Sequence, residues 1–287
     1  MERREQNVIR RLTVGDALQL AQRDINTVDA RVLLQHALRT NRAHLAAHPE
    51  RVLSEAERDR FCAVIDRRKN GEPVAYIVGE REFFGLSFRV TTAVLIPRPE
   101  TELLVEQALA RLPGHRSTRI LDLGTGSGAI AIAIAQQRPC ARAVAVDFDA
   151  DALEIATYNG RHLLGEQASS VEFQLSNWFS AVAEKLFDMI VSNPPYVAND
   201  DPHLAQGDLR FEPRRALDGG AGGLSALEHI TRNAAPRLGP CGWLLLEHGY
   251  DQSEACSKLM YSAGFVGVET HRDLAGIDRV TIGQRPM

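Results

Sequence analysis

Residues 120–135, "ILDLGTGSGAIAIAIA", decide the fold. An apolar run stops at Gly124, turns through Gly126 and Gly128, and continues in alternating Ala and Ile that read as a helix. Strand, glycine turn and helix in that order open a βαβ unit. Glycines let the backbone approach a ligand closely. The turn Gly124, Thr125, Gly126, Ser127 and Gly128 would deliver such a ligand to a helix N-terminus. The same turn could also do no more than close a tight loop, so its neighbours decide.

The next candidate strand, "AVAVD", ends at Asp147, about two dozen residues on. A carboxylate at that sheet edge can accept hydrogen bonds from both ribose hydroxyls of an adenosine ligand. Its alternative role is to cap the helix that starts near Asp149. Glycine turn and acid together permit either NAD or S-adenosylmethionine. The spacing G-x-G-x-G lacks the third glycine position usual for NAD, and the fourth strand ends in a block unsuited to hydride chemistry, which favours S-adenosylmethionine.

Working outward, the candidate strands are "RILDLG", "AVAVD", "VEFQL", "FDMIVS", "GWLLLEH", "GFVGVET" and "RVTIG". Helical stretches at "GAIAIAIAQQ", "DADALEIATYNGRHL", "GLSALEHITRNAAPRL" and "QSEACSKLMYSAG" lie between several of them. That alternation predicts an α/β fold with a mostly parallel, Rossmann-like sheet of seven strands. Residues 1–72 read as a small helical domain. Thr27 is placed to cap a helix with Val28, Val32, Leu34 and Leu38 on its apolar side. Ser54 with Glu57 fits a capping box, and Asn70-Gly71 fits a left-handed stop. Such a block is either a solvated bundle or a module that docks a partner. Between the two, residues 73–99 carry β-type runs ("VAYIVG", "FFGLSFRV", "AVLIP") and are expected to form a β-hairpin connector. The second domain is expected over residues 100–287.

The fourth strand candidate runs into Asn193-Pro194-Pro195-Tyr196. Two consecutive prolines donate no ladder hydrogen bonds and each fixes its own φ. This block suits methyl transfer to an amide or exocyclic amino nitrogen, a poor nucleophile whose lone pair is delocalised. Both protons of the planar NH2 need acceptors. The Asn193 side-chain oxygen supplies one and the Pro194 carbonyl a second. Aiming acceptors in advance is orientation and electrostatic catalysis, and needs no strong base. Tyr196 offers a flat face and a hydroxyl. The bland alternative is a rigid strand exit with Tyr196 in the core.

Together these residues resemble the class I S-adenosylmethionine-dependent methyltransferases with an Asn-Pro-Pro-Tyr signature. More narrowly, the chain is similar to the bacterial glutamine methyltransferases of peptide chain release factors, the PrmC/HemK family. The likeness runs through "GEPVAYIVGEREFFGLSF", "LIPRPETELLVEQAL", "DLGTGSGAIAIAIA", "NWFSA", "IVSNPPYVANDDPHLAQGDLRFEP" and "LLLEHGYDQ". Of these, "RPETE" and "GDLRFEP" separate it from nucleic-acid amino methyltransferases.

What the resemblance implies is methyl transfer from S-adenosylmethionine to the side-chain nitrogen (N5) of the glutamine in a Gly-Gly-Gln motif of release factors 1 and 2, which tunes translation termination. It implies that Gly124, Thr125, Gly126, Ser127, Gly128 and Asp147 hold the cofactor, that Trp178 flanks the adenine, and that Asn193 to Tyr196 grip the glutamine, with Asn193 also near the cofactor. It further implies that the helical domain docks the release factor, and that Phe83 and Phe84 help wall the site. Asn177 departs from the acid that family members commonly carry before the tryptophan. Arg98, Glu100 and Glu212 read as solvated or structural ion pairs, and His248 as structural.

At 287 residues, with 44% hydrophobic and 24% charged content, the chain has the composition of a soluble globular protein. A net charge of −4 advertises no nucleic-acid partner. The longest apolar run, Ala129 to Ala135, is far short of the roughly 18 residues of a membrane span. Cys62, Cys140, Cys241 and Cys256 are scattered and read as buried thiols of a reducing compartment. A cytoplasmic monomer without metal is expected. A ribosomal-protein glutamine methyltransferase, a nucleic-acid amino methyltransferase and a binding-only relative remain as rivals.

Overall fold

The computed structural model describes residues 12–182 and 185–287. The chain divides into two compact units, one through Gly79 and one from Glu80.

Five helices of the first unit are described: α1 (Val14–Ala21), α2 (Thr27–Leu38), α3 (Arg42–Ala47), α4 (Glu55–Lys69) and α5 (Val74–Val78). Leu33, Leu34, Phe61, Ile65 and Ile77 form part of their shared core. The Ser54–Glu57 capping box opens α4, and Gly71 is left-handed just after it (φ 91°). Helix α2 is capped by Asn26 rather than Thr27: the Asn26 amide oxygen takes the Asp29 N–H at 2.9 Å, while Thr27 is the first helical residue. Its inward face is Ala30, Leu33, Leu34, Ala37 and Leu38, and Val28 is exposed.

The run "VAYIVG" is a short helix, not a strand. Pro73 precedes it with φ preset near the helical value, Gly79 ends it at φ 87°, and Tyr76 and Ile77 are buried. Packing overrides the β preference of its branched residues.

The second unit opens with the hairpin β1 (Glu80–Phe83) and β2 (Leu86–Arg89), turned by Phe84 and Gly85, both at positive φ as the favoured two-residue hairpin turn requires. The predicted strand "AVLIP" is an unpaired loop; the Ile96 N–H, which a strand would give to its neighbour, goes to the Glu212 carboxylate at 3.1 Å. Helix α6 (Glu102–Arg111), which the sequence reading did not mark, follows, and its Glu102 carboxylate accepts the Phe84 N–H at 2.9 Å.

The large sheet contains β3 (Thr118–Leu123), β4 (Ala141–Asp147), β5 (Val171–Leu175), β6 (Phe187–Ser192), β7 (Leu238–Glu247), β8 (Val266–Arg272) and β9 (Asp278–Gln284). Its order is β5-β4-β3-β6-β7-β9-β8, with β9 antiparallel to both its neighbours and the other pairs parallel. All seven predicted strands are present. Helices α7 (Ala129–Gln137), α8 (Ala150–Leu164), α9 (Ser225–Ala234) and α10 (Ser253–Ser262) accompany them.

Strand residues alternate between two cores. Ile120, Ala143 and Leu245 join α6, α7 and the hairpin, whereas Leu121, Val144 and Leu244 join α9 and α10. With both faces covered, central strands read as unbroken apolar runs, which is why the sequence located them.

Three of the four cysteines (Cys62, Cys140 and Cys241) are exposed, contrary to the expectation of buried thiols; only Cys256, on the buried face of α10, is buried. The first three lie on outward positions of α4, the loop before β4 and the early part of β7, which the sequence spacing does not distinguish from inward ones.

Candidate functional site

The chain runs from β3 outward through β4 to β5, then crosses back to β6 on the other side of β3, so a crevice opens beyond the carboxyl ends of β3 and β6. Register makes this concrete. Leu123 pairs with Val146 and with Ser192, and Ser192 pairs with Leu246. The next residue in each chain is therefore Gly124, Asp147, Asn193 or Glu247. These four stand in one row along the sheet edge.

Gly124, Gly126 and Gly128 all have φ in the left-handed region, at 71°, 55° and 84°. Only glycine adopts that alternation at low cost. The N–H groups of Gly124 and Thr125 both bond the Val146 carbonyl, and the Thr125 hydroxyl reaches back to Asp122 Oδ2 at 2.6 Å. Asp147 accepts the Gly126 N–H through Oδ2 (2.9 Å) and the Asp149 N–H through Oδ1 (3.0 Å). Burial raises its carboxyl, and those two amides oppose the shift. The cap of α8 is Asp149, not Asp147.

A cavity of about 320 Å³ occupies the crevice, within the range of small-molecule sites. Of the expected site residues, Gly124, Thr125, Gly126, Ser127, Asp147, Trp178, Asn193 and Pro195 line it. Gly128 does not. A Cβ there would meet Ile132 Cδ1 at 2.8 Å and Ala156 Cβ at 3.3 Å, so its bareness serves the packing of α7 on α8. A Cβ on Gly126 would meet no protein atom, which leaves that face open.

Trp178 is held at φ 50°, an uncommon value for a bulky residue, with its carbonyl accepting the Ser176 hydroxyl at 2.7 Å. Its ring stands 3.9 Å from where a Gly124 Cβ would be. Asn177 is exposed on the rim.

Pro194 is buried and off the wall, and Tyr196 faces a second cavity of about 550 Å³ with Arg98, Glu100, Glu247 and Arg279. The expected wall of Phe83 and Phe84 is not there. Phe83 packs edge-on against Phe88 in the core, 6.0 Å between ring centres, Phe84 packs against that core, and Ala93, Val94 and Leu95 form the wall instead.

Several supporting residues escaped the sequence reading. The Thr101 hydroxyl accepts the Asn193 Nδ2–H at 3.0 Å. Glu247, 1% exposed, accepts the Tyr196 hydroxyl at 3.3 Å. Burial pushes its carboxyl up to about 7, and does the same for Asp122. The loop around "LDGGAGG" buttresses the signature from behind: Val197 N–H bonds the Leu217 carbonyl, and a Cβ on Gly219 would stand 2.7 Å from the Pro195 carbonyl oxygen. Gln252 Nε2 donates to the Tyr196 carbonyl at 3.0 Å. Arg98 and Glu212, left out of the expected site, form an ion pair joining the two stretches that flank it. His248 is buried between the Gly249 carbonyl and the Thr281 hydroxyl. Carboxylates that end apolar strands, as in "LDLG" and "LLLEHG", were the available signal for Asp122 and Glu247.

Comparison with known proteins bears on this geometry. Residues 15–79 match the PrmC N-terminal domain and residues 99–220 the methyltransferase small domain. The chain is 49% identical over 262 residues to a release factor glutamine methyltransferase of Xylella fastidiosa, covering 91% of this chain and 94% of that one. It is 47% identical over 266 residues to the enzyme of the same name from Salmonella typhimurium, covering 93% and 95%.

The chain belongs to the release factor glutamine methyltransferases.

A solved methyltransferase of Pyrococcus furiosus, 18% identical, shares the fold with a TM-score of 0.53 over 79% of this chain and 98% of that one. Membership agrees with a Rossmann-like sheet whose methyltransferase signature lies at the switch point. Among the described residues, no cluster of three His, Cys, Asp or Glu is placed to hold a metal, and no helix is long and apolar enough to cross a membrane.

Proposed function

We propose that the protein transfers a methyl group from S-adenosylmethionine to the side-chain amide nitrogen of the glutamine in the Gly-Gly-Gln motif of peptide chain release factors, in the cytoplasm. The observation that carries this reading is the row of Gly124, Asp147 and Asn193 on one cavity wall: a glycine turn and acid suited to a nucleoside stand directly beside an amide acceptor.

The residues present suit the cofactor. The open face of Gly126 admits a close approach, Asp147 offers carboxylate oxygens to paired hydroxyls, and Trp178 presents a ring for a purine. When bound, S-adenosylmethionine supplies an electrophilic methyl on a positively charged sulfur. The chain's own task is to prepare the nitrogen. Asn193 Oδ1, on the cavity wall, accepts a hydrogen bond from one N–H of the glutamine NH2, and the carbonyl of Pro194, whose ring is buried behind that wall, accepts one from the other, which turns the lone pair out of conjugation; as the nitrogen gains the methyl it releases one of these protons to solvent. The fixed φ of the two prolines keeps both acceptors aimed, so little reorganisation is left for the reaction itself. Tyr196 serves the approach of the protein substrate from the second cavity. Burial and the neighbouring Glu247 charge raise its hydroxyl well above the usual phenol range, so it stays a neutral donor.

The helical unit through Gly79 is read as the docking module for the release factor, and the enzyme as a monomer without metal. The deciding experiment is transfer of labelled methyl from S-adenosylmethionine to purified release factor, beside a Gly-Gly-Ala variant of that factor. Label on the first alone establishes the acceptor. Label on neither, with cofactor bound, overturns the reading and points to the glutamine of a ribosomal protein.

A further inference from the structure

Asn159, on α8, is 1% exposed and does not line the crevice, yet its side chain is tied to backbone that leads there. Its Oδ1 accepts the Arg89 N–H at 2.9 Å. Its Nδ2 donates to the Arg89 carbonyl at 3.0 Å and to the Ser127 carbonyl at 2.8 Å. An amide has one accepting end and two donor hydrogens, so each of its groups has a backbone partner. The orientation is fixed as well. A reversed amide would set nitrogen against an N–H and oxygen against two carbonyls.

The two partners belong to different walls of the crevice. Arg89 is the last residue of β2, and Asn159 takes both its N–H and its carbonyl as a neighbouring strand would. The chain then passes through buried Val90 into a turn, where the Thr91 hydroxyl accepts the Ala93 N–H (3.3 Å) and the Thr91 carbonyl accepts the Val94 N–H (3.1 Å). That turn presents the wall of Ala93, Val94 and Leu95. Ser127 lies in the glycine turn. Across the same peptide plane, the Gly128 N–H donates to the Thr125 carbonyl at 2.8 Å, so the plane is held at both edges. The seat of α8 is equally tight: a Cβ on Gly128 would meet Ala156, and one on Gly160 would stand 2.7 Å from Phe173 Cε2.

We propose that Asn159 is a positioning residue for the cofactor: it fixes the spacing between the glycine turn and the Ala93–Leu95 wall, and through that spacing the affinity for S-adenosylmethionine. This rests on the reading of the crevice as the cofactor site. Apolar packing alone is non-directional, whereas three hydrogen bonds from one planar group set both distance and direction. The acceptors at Asn193 and Pro194 follow β6, outside these bonds, so the effect belongs to binding rather than to chemistry.

The test compares full-length wild type with Asn159→Ala and Asn159→Asp. Calorimetric titration with S-adenosylmethionine is run well below each melting temperature, beside labelled-methyl kinetics on release factor at saturating cofactor. Asn159→Ala releases both walls, and should raise the dissociation constant about 10-fold or more with kcat within about 3-fold. Asn159→Asp keeps the shape and the acceptor for Arg89 but not both donors, and should raise it about 3- to 10-fold. A role confined to holding the fold would lower Tm and leave the dissociation constant of the folded protein alone. Values within about 2-fold of wild type in both variants therefore overturn the proposal and leave the cofactor reading standing. So does a loss in kcat as large as the loss in affinity. If only the alanine variant fails to fold, Asn159→Asp decides; if neither folds, Asn159 serves the core and the proposal falls. Absence of S-adenosylmethionine binding in the wild type removes the cofactor reading and this proposal with it.

Discussion

An amide neither gains nor loses a proton near neutral pH, so Asn193 contributes to turnover only by accepting hydrogen bonds in a fixed direction. Removing one preorganised partner of a reacting group typically costs about 10²- to 10³-fold in kcat. Asn193→Ala should lose turnover on that scale, with the dissociation constant for S-adenosylmethionine within about 3-fold, read by steady-state kinetics beside calorimetric titration. Equal losses in both would make it a cofactor ligand instead. A second residue has its own pH signature. Asp122 lies fully buried under α7, and burial lifts its carboxyl from the ordinary 3.8 to about 7, with the Thr125 hydroxyl opposing and the Asp147 charge adding to the rise. Between about pH 4 and pH 7 the folded state therefore keeps a proton that the unfolded state has lost. Stability must fall as pH rises through that window. Asp122→Asn has no such proton to lose. The difference in Tm, variant minus wild type, should grow from pH 5 to pH 8 by about 5–10 °C, equivalent to roughly 2–3 kcal/mol in a unit of this size, because about two pH units of that span lie below the folded value at ~1.4 kcal/mol each. A difference independent of pH would show that Asp122 does not titrate in that range.

At the scale of elements, the glycine turn separates into two kinds of position that the sequence writes identically. Gly126 and Gly128 share a left-handed φ, so alanine at either strains the backbone by of order 1 kcal/mol. Gly126→Ala adds a methyl to open space on the cavity wall, so cofactor affinity should drop while Tm falls only by the about 2–4 °C of the backbone strain. Gly128→Ala drives a methyl into Ile132 and Ala156, so Tm should fall by several degrees at a comparatively preserved affinity. Thermal melts and cofactor titration on the two variants decide it, and an indistinguishable pair would refute the assignment. This split also marks what was legible. The seven strands could be located because each is a compact run of apolar or alternating residues bounded by turn signals. The runs "VAYIVG" and "AVLIP" looked alike but became a helix and a loop, since their surroundings, Pro73 and Gly79 in one case and the Glu212 side chain in the other, determine where the backbone groups go. Thr101 and Glu247 were passed over because their meaning lies in partners 92 and 51 positions away, which strand register brings together and local pattern does not show.

At the scale of the whole molecule, the division at Gly79 falls later than the boundary expected at residue 72, because α5 packs Ile77 into the helical core while the hairpin after it packs Phe83 and Phe88 into the other. All groups of the proposed site, from Ala93 to Glu247, lie in the second unit, which has its own two-sided core. A unit with its own core folds by itself, and a docking module raises the local concentration of a tethered substrate without touching the chemistry. A chain of residues 80–287 should then bind S-adenosylmethionine with affinity within about 3-fold of the full chain, since one site held by the same residues is unchanged. For intact release factor its KM should rise by about 10-fold or more, as expected when one of two binding regions is lost. A short peptide containing Gly-Gly-Gln, too small to reach a docking module, should show nearly the same kcat/KM with both proteins. Cofactor calorimetry and labelled-methyl kinetics with the two acceptors read all three quantities. An unchanged KM for intact release factor would remove the docking role from the helical unit, whereas a loss with the peptide as large as that with the whole factor would mean that the helical unit shapes the site itself.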